Sequence, residues 1–239
     1  MLGYFIANGI SSLDYGIYLT DGKVYGTAKR VFKKIDIQGR NGSVYIDNER
    51  YEDVTFSYPC IITSDFADKY TEFIDALISK TSHFKLEDSF QPDIFYEAKV
   101  IDANTPKRVK GDGDKGSFIL KMIRKPQKFQ KSGLSAIAIS SSGQSIFNKY
   151  NQTAKPLITI FGNGTLTING VSVTVAGNTD EYLQLDCDIC EAYKDSLTVS
   201  KNDKITLTDG KYPELKSGSN QVTFTGITNI KVVPRWWTI

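Results

Sequence analysis

The chain has 239 residues, 40% of them hydrophobic and 23% charged, with a net charge of +2, a composition that predicts a packed core in one large or two ordinary domains. Basic and acidic residues number 19 and 18 through residue 130 and 10 and 9 beyond it, so neither half carries the basic footprint of a nucleic-acid binder. No apolar run approaches the ~18 residues of a membrane span, and the opening Met1-Leu-Gly-Tyr-Phe-Ile lacks the basic and long apolar regions of a signal peptide.

In chain order, Ala7 to Gly22 alternates short strand-like pieces with glycine, and Asp21-Gly22 is a hairpin turn signal. Ile35-Asp-Ile-Gln leads into Gly39-Arg-Asn-Gly42, where two glycines flank a residue tolerant of left-handed backbone. No strand–glycine loop–helix context follows, so a turn is expected there and not a phosphate cradle. Val44-Tyr-Ile and Val54-Thr-Phe-Ser-Tyr read as strands. From Ser64 onward Phe66, Tyr70, Phe73, Ile74 and Leu77 recur at helical spacing, predicting one amphipathic helix whose aromatic stripe is core. Ser64 is its expected N-cap, with Asp65 and Asp68 at the positive end of the helix dipole and Lys80 at the other.

Phe84-Lys-Leu, Ile94 to Ile101 and Ser117 to Ile123 supply further strands. Between the last two, Asp112 and Asp114 suggest a calcium loop. Gly116 and Ile123 stand at the fifth and twelfth loop positions, where an EF-hand needs ligands, so an exposed hairpin loop is expected. His83 is the only histidine, and no nucleophile motif surrounds it. The basic run Lys121, Arg124, Lys125, Lys128 and Lys131 reads as a solvated linker face.

After Pro126 the chain becomes rich in serine, glycine and asparagine, although Ile137 and Ile139 can still form a short strand. The expected division is a first domain over 1–130, a linker over 131–147 and a second domain over 148–239, with Ile230 to Ile239 either staying in the second domain or returning to the first. That second domain is all β. Leu157 opens an apolar run ending at Gly162-Asn-Gly164. Leu166 and Ile168 precede Asn169-Gly170, a strong two-residue hairpin signal, and Val171, Val173 and Val175 continue the alternation. Leu183, Leu185, Cys187 and Ile189 are predicted on one face of a strand, followed by Leu197-Thr-Val and Ile205-Thr-Leu, a spacing that reads as a sandwich.

Three cysteines, Cys60, Cys187 and Cys190, make no disulfide framework and read as the reduced thiols of a protein assembled inside a cell. In a strand Cys187 and Cys190 would point to opposite faces, and too few further ligands exist for zinc. No metal, cofactor or catalytic residue is expected. Asn41, Asn151 and Asn163 match the glycosylation pattern but carry no weight without a secretory signal.

The most ordered pattern is Gly210-Lys-Tyr-Pro-Glu-Leu-Lys-Ser-Gly-Ser-Asn-Gln-Val-Thr-Phe-Thr-Gly226: an extended Tyr-Pro, a tight reversal, then a period-2 strand. Its Tyr-Pro-x-Leu-x-x-Gly-x-Asn arrangement resembles the distal tail (Dit) proteins of long-tailed, non-contractile bacteriophages, the siphoviruses. Asn8-Gly-Ile-Ser-Ser-Leu-Asp-Tyr-Gly-Ile resembles that family's opening strand and turn, and Gly39-Arg-Asn-Gly42 its first loop. Asn148 through Lys155-Pro156, Gly162-Asn-Gly164 and Val233-Pro-Arg-Trp-Trp237 resemble the entry to its second domain and its closing strand.

The resemblance implies a non-enzymatic virion protein of the tail tip or baseplate, part of the host adhesion device and assembled in the bacterial cytoplasm. Its N-terminal domain, β-rich with one helix, would close as a homo-hexamer into a ring through which DNA passes. Its C-terminal domain would be a galectin-like β-sandwich outside the ring. The ring would join the tail tube protein to the tail-tip protein, and often to receptor-binding proteins. Such a second domain from Pro156 would leave no room for the inserted carbohydrate-binding module of some longer family members, so direct adhesion to the host is not expected. A glycan-binding module is the alternative class, since sugar binders share the sandwich type and fold does not define function. Trp236 and Trp237 are its best stacking candidates, at a terminus where core packing is expected. A carboxylate-pair glycosidase has no motif in its favour.

Overall fold

The computed structural model describes residues 2–20, 25–79, 82–103, 106–109 and 114–239. The Asp21-Gly22 turn, Lys80 and Asp112 lie outside the described residues. The chain divides into two compact units, residues 1–128 with 239, and residues 129–238.

The first unit contains β1 (Phe5–Ala7), β2 (Ile10–Ser11), β3 (Ile17–Leu19), β4 (Arg30–Ile35), β5 (Val44–Tyr51), β6 (Val54–Ile62), α1 (Phe66–Ile78), β7 (Phe84–Asp88), β8 (Ile94–Ala103), β9 (Lys107–Val109) and β10 (Lys115–Arg124). Its main sheet runs β2-β1-β7-β8-β10-β6-β3, with β9 on the start of β10 and every pairing antiparallel. Strict alternation builds the core: Val54, Phe56, Tyr58, Cys60 and Ile62 of β6 are buried, while the residues between them face the other side. Where β8 meets β10 the register slips by one residue, leaving Ile101 bulged out and exposed.

The helix lies over this core as its spacing predicts, with Phe66, Phe73 and Leu77 buried and Tyr70 and Ile74 packed beside them. Phe73 meets Phe5 edge-on at 5.7 Å, and Tyr70 meets Phe118 at 5.1 Å. Its start differs from expectation. Asp65, not Ser64, is the N-cap residue, in left-handed backbone and without a side-chain capping bond. The Phe66 N–H, left without an intrahelical partner, finds the Asp114 carbonyl instead (3.1 Å), and the Ser64 hydroxyl accepts from Lys69 Nζ (2.7 Å).

Strand β11 (Lys128–Gln130) stands at the division, and the second unit continues with β12 (Ile137–Ile139), β13 (Ser145–Asn148), β14 (Leu157–Phe161), β15 (Gly164–Ile168), β16 (Val171–Val175), β17 (Tyr182–Asp186), β18 (Glu191–Lys194), β19 (Ser196–Ser200), β20 (Ile205–Leu207), β21 (Gly218–Thr225), β22 (Asn229–Val233) and β23 (Trp237–Thr238). Two antiparallel sheets, β12-β22-β14-β17-β18-β19 and β13-β21-β15-β16-β20, enclose one core. Ile158, Ile160, Leu183, Leu185, Ile230 and Val232 of the first sheet share it with Leu166, Ile168, Val173, Val175 and Val222 of the second. Asn169 and Gly170, both at positive φ, join β15 to β16 with Ile168 paired to Val171, the two-residue hairpin that Asn-Gly predicts.

Two expectations change here. Residues 131–147, expected as a linker, supply β12, which pairs with β22, and β13, which pairs with β21. Gly133 looks like linker flexibility but is a close-approach glycine: a Cβ there would stand 2.3 Å from the Trp236 amide nitrogen. The Gly133 carbonyl accepts from Arg235 N–H (2.8 Å), and Gln130 N–H donates to the Trp236 carbonyl (2.8 Å). The strand expected to run through Ile189 stops at Asp186. Residues 187–190 form a turn and leave Ile189 exposed.

Candidate functional site

Among the described residues no group of three or more His, Cys, Asp or Glu side chains could hold a metal ion, and no helix is long and apolar enough to cross a membrane. His83 is exposed just ahead of β7. Asp114 pairs with Arg108. Gly39 and Gly42, both at positive φ, sit in the exposed loop joining β4 to β5. The basic run is not one solvated face: Lys121 pairs with Asp102 and Lys125 with Glu97, while Arg124 is only 1% exposed. The Arg124 guanidinium donates to the carbonyls of Gly26 (3.1 Å), Lys125 (3.1 Å) and Pro126 (3.3 Å) and lies over the Tyr96 ring. Burial pushes its pKa down, and Tyr96 and Tyr58 oppose that shift. Trp236 is buried in the second core, and Trp237 is half-buried with Nε1–H on the Thr153 carbonyl (3.0 Å). Neither is a free stacking platform.

What the molecule does present is apolar surface in extended form. Among the described residues, strands β4 and β5 pair only with each other. Phe32, 51% exposed, and Tyr45, 62% exposed, meet edge-on across one face, with their rings 6.3 Å apart. Ile46 is exposed on the opposite face. The hairpin base is braced by Arg30, whose Nε–H donates to Asp47 (2.6 Å) and whose Nη1 donates to Tyr51 Oη (3.1 Å). A lone two-stranded ribbon is marginal in water, so this arm is of a kind that gains from a covering surface. In the main sheet of the same unit, the side opposite the helix-covered core carries Tyr18, Pro59, Ile61, Ile119 and Ile123 on three adjacent strands. Ile119 is 41% exposed. These surfaces escape sequence reading because period-2 alternation marks a strand without saying which face is covered.

In the second unit Leu215 and Asn220 of the Gly210–Gly226 segment have clear structural roles. Leu215 is buried and exchanges two backbone bonds with Ala154, both 2.9 Å. Asn220 has no exposed surface. Its Nδ2 donates to the carbonyls of Lys216 (2.8 Å), Gly218 (3.0 Å) and Ile146 (3.2 Å), and its Oδ1 accepts from Lys216 N–H (2.7 Å) and Asn169 Nδ2 (2.6 Å). Asn148 acts likewise, donating to the carbonyls of Gln152 and Leu215 and accepting from Tyr150 N–H. The asparagines are staples of a buried turn. The closing Pro234-Arg-Trp-Trp237 is held by Arg235, bidentate on Asp186 at 2.6 and 2.7 Å. Burial pushes the Asp186 carboxyl up, but the hydrogen bonds and charge of Arg235 outweigh it and hold the group below the usual carboxylate range.

The fold is therefore that of a two-unit, mainly β protein with one helix, built around surfaces and buried staples. No protein-family profile matches the sequence. No curated protein matches it in sequence. Among solved structures the chain is similar to the Dit protein (gp 19.1) of SPP1, described as a paradigm of the hub adsorption apparatus in phages infecting Gram-positive bacteria. The two share 13% identity and a TM-score of 0.70, over 97% of this chain and 98% of that one. At that identity the likeness establishes a common fold.

Proposed function

We propose that this protein is a distal tail protein of a long-tailed, non-contractile phage, a structural component of the virion tail tip. Six copies close into a ring that joins the tail tube to the tail-tip protein, offers its periphery to receptor-binding proteins and lets DNA pass through its centre. The ring assembles in the host bacterial cytoplasm. The observation that carries this reading is the reciprocal coverage of the SPP1 hub protein, 97% and 98%, in which both units of this chain take part. The exposed β4–β5 arm and the partly exposed apolar sheet face of the first unit support it. A ring needs two different patches per subunit, each buried against the next copy. The reading is non-enzymatic, and the buried Trp236 removes the better support for a glycan-binding module.

Native mass spectrometry and negative-stain microscopy of the purified protein, alone and mixed with tail-tube and tail-tip proteins, test this. Six-membered rings with a central hole are expected. A strictly monomeric protein at tens of micromolar, with no ring even in the presence of those partners, refutes the assignment.

A further inference from the structure

The Cys187-Asp-Ile-Cys190 segment has no part in the proposed role, and the fold changes what it can do. In a strand the two sulfurs would diverge. In the turn that replaces the strand, Cys190 has φ 59° and its Sγ lies 3.9 Å from the Cys187 carbonyl oxygen, so the second side chain folds back over the first residue. Both cysteines line one cavity of about 390 Å³, whose wall includes Lys155, Lys211, Lys216 and Tyr212. The ends of a four-residue turn stand within about 7 Å at their Cα atoms, the separation a disulfide spans. We propose that Cys187 and Cys190 are a dithiol pair that closes to an intramolecular disulfide on meeting a low-molecular-weight disulfide such as glutathione disulfide.

The two thiols have unequal roles. Cys190 is exposed, whereas Cys187 is buried. Burial pushes the Cys187 thiol well up, so it stays protonated at neutral pH. Cys190, the accessible thiol, therefore attacks first and gives up its proton to solvent, while Lys211 and Lys216 on the same cavity wall can attract the carboxylates of glutathione. The glutathione S–S bond breaks, one glutathione thiolate leaves, and the other glutathione remains bonded to Cys190 Sγ. Cys187 then loses its proton to solvent and attacks Cys190 Sγ, forming the Cys187–Cys190 bond and expelling the second glutathione. Two thiols are oxidised, and one glutathione disulfide is reduced to two glutathiones. The second step needs the reluctant Cys187 thiolate, so closure speeds up as pH rises. The product braces the signature segment, because the Cys190 carbonyl accepts the Tyr212 hydroxyl (2.7 Å).

The test uses the full chain, reduced, then exposed natively to glutathione disulfide at about pH 8, near the thiol range. After acid quench and denaturation, free thiols are capped with N-ethylmaleimide and the intact mass is read. The expected product is a monomer lighter by two hydrogens that takes one cap, on Cys60, instead of the three taken by the reduced chain. Hydrogen exchange over 211–216 should slow. Cys190→Ser, at an exposed position, should keep two cappable thiols after the same exposure. Cys187→Ala should instead accumulate a lasting glutathione adduct on Cys190. Three caps after exposure, a persistent glutathione adduct on the wild-type chain, a disulfide-linked dimer, or closure that survives in Cys190→Ser would each overturn the proposal.

Discussion

Replacing Asn220 by alanine measures how far the Gly210–Gly226 segment is a staple. The wild-type side chain has five hydrogen-bond partners, three carbonyls sharing its two Nδ2 hydrogens and two donors to its Oδ1, at a site with no exposed surface. The substitution leaves the buried Ile146 carbonyl without this donor, which costs about 1–2 kcal/mol. Water can replace part of what Lys216, Gly218 and Asn169 lose at the rim, so those bonds together contribute about another 1–2 kcal/mol. The expected loss is about 3 kcal/mol, or a fall on the order of 10 °C in the melting temperature of the second unit. Urea denaturation followed by tryptophan fluorescence reads it directly, since Trp236 and Trp237 both belong to that unit. Ser219→Ala, at an exposed neighbour on the same strand, should stay within about 0.5 kcal/mol. A loss below about 1 kcal/mol for Asn220→Ala would refute the staple and leave the segment's order unexplained.

Gly133→Val should cost upward of about 2 kcal/mol by calorimetry, because its Cβ must displace Trp236 backbone and not a side-chain tip. A fragment of residues 129–239 should melt cooperatively, while one starting at Ser145, which lacks β12 and the Gly133 contact, should be less stable by about 2 kcal/mol or more in urea. Arg124→Lys keeps the charge but cannot span three carbonyls at once, and should lose about 2 kcal/mol by thermal denaturation. The folded Asp186 carboxyl sits below its unfolded value, so its contribution is fully present above about pH 4 and is lost as pH falls through the folded value. The stability difference between wild type and Arg235→Met should shrink on acidification across that window, measured by urea titrations at several pH values.

How much the sequence reveals depends on whether the signal is local. The Phe66–Leu77 stripe, the Asn169-Gly170 hairpin and the Val173–Val175 alternation are decided by residues within a few positions of one another, and the structure repeats them. Ser64 fails as a cap because the helix start is satisfied from far along the chain, by the Asp114 carbonyl. The supposed linker fails for a similar reason. Serine, glycine and asparagine mark irregular backbone, but they do not distinguish a free joint from a segment held under Trp236 and Arg235, about a hundred residues later. Asp186 and Arg235 carry no local sign of their pairing either, since forty-nine positions separate them. The Cys187–Cys190 turn is lost to over-extension: two alternating leucines continue smoothly into a cysteine and an isoleucine, and only the turn breaks the pattern.

If the proposed role holds, the first unit acts through its surfaces. Two prominent polar groups of the unit, Asp88 and Arg124, are engaged inside it. Asp88 accepts hydroxyls from Tyr25 (3.0 Å) and Tyr58 (2.7 Å) and the backbone N–H groups of Phe90 and Gln91, which makes it a corner brace below β7. Arg124 holds the carbonyl of Gly26, a few residues ahead of β4, together with those of Lys125 and Pro126 where the chain leaves the unit. One buried cation thus anchors both the approach to the exposed arm and the exit toward residue 129. Loosening Arg124 should therefore disturb assembly as well as stability, and Phe32 or Tyr45 replaced by serine should weaken ring formation while leaving the monomer's melting temperature within a few degrees. A variant that loses rings and stability in equal measure would place those aromatic side chains in the fold instead of at an interface.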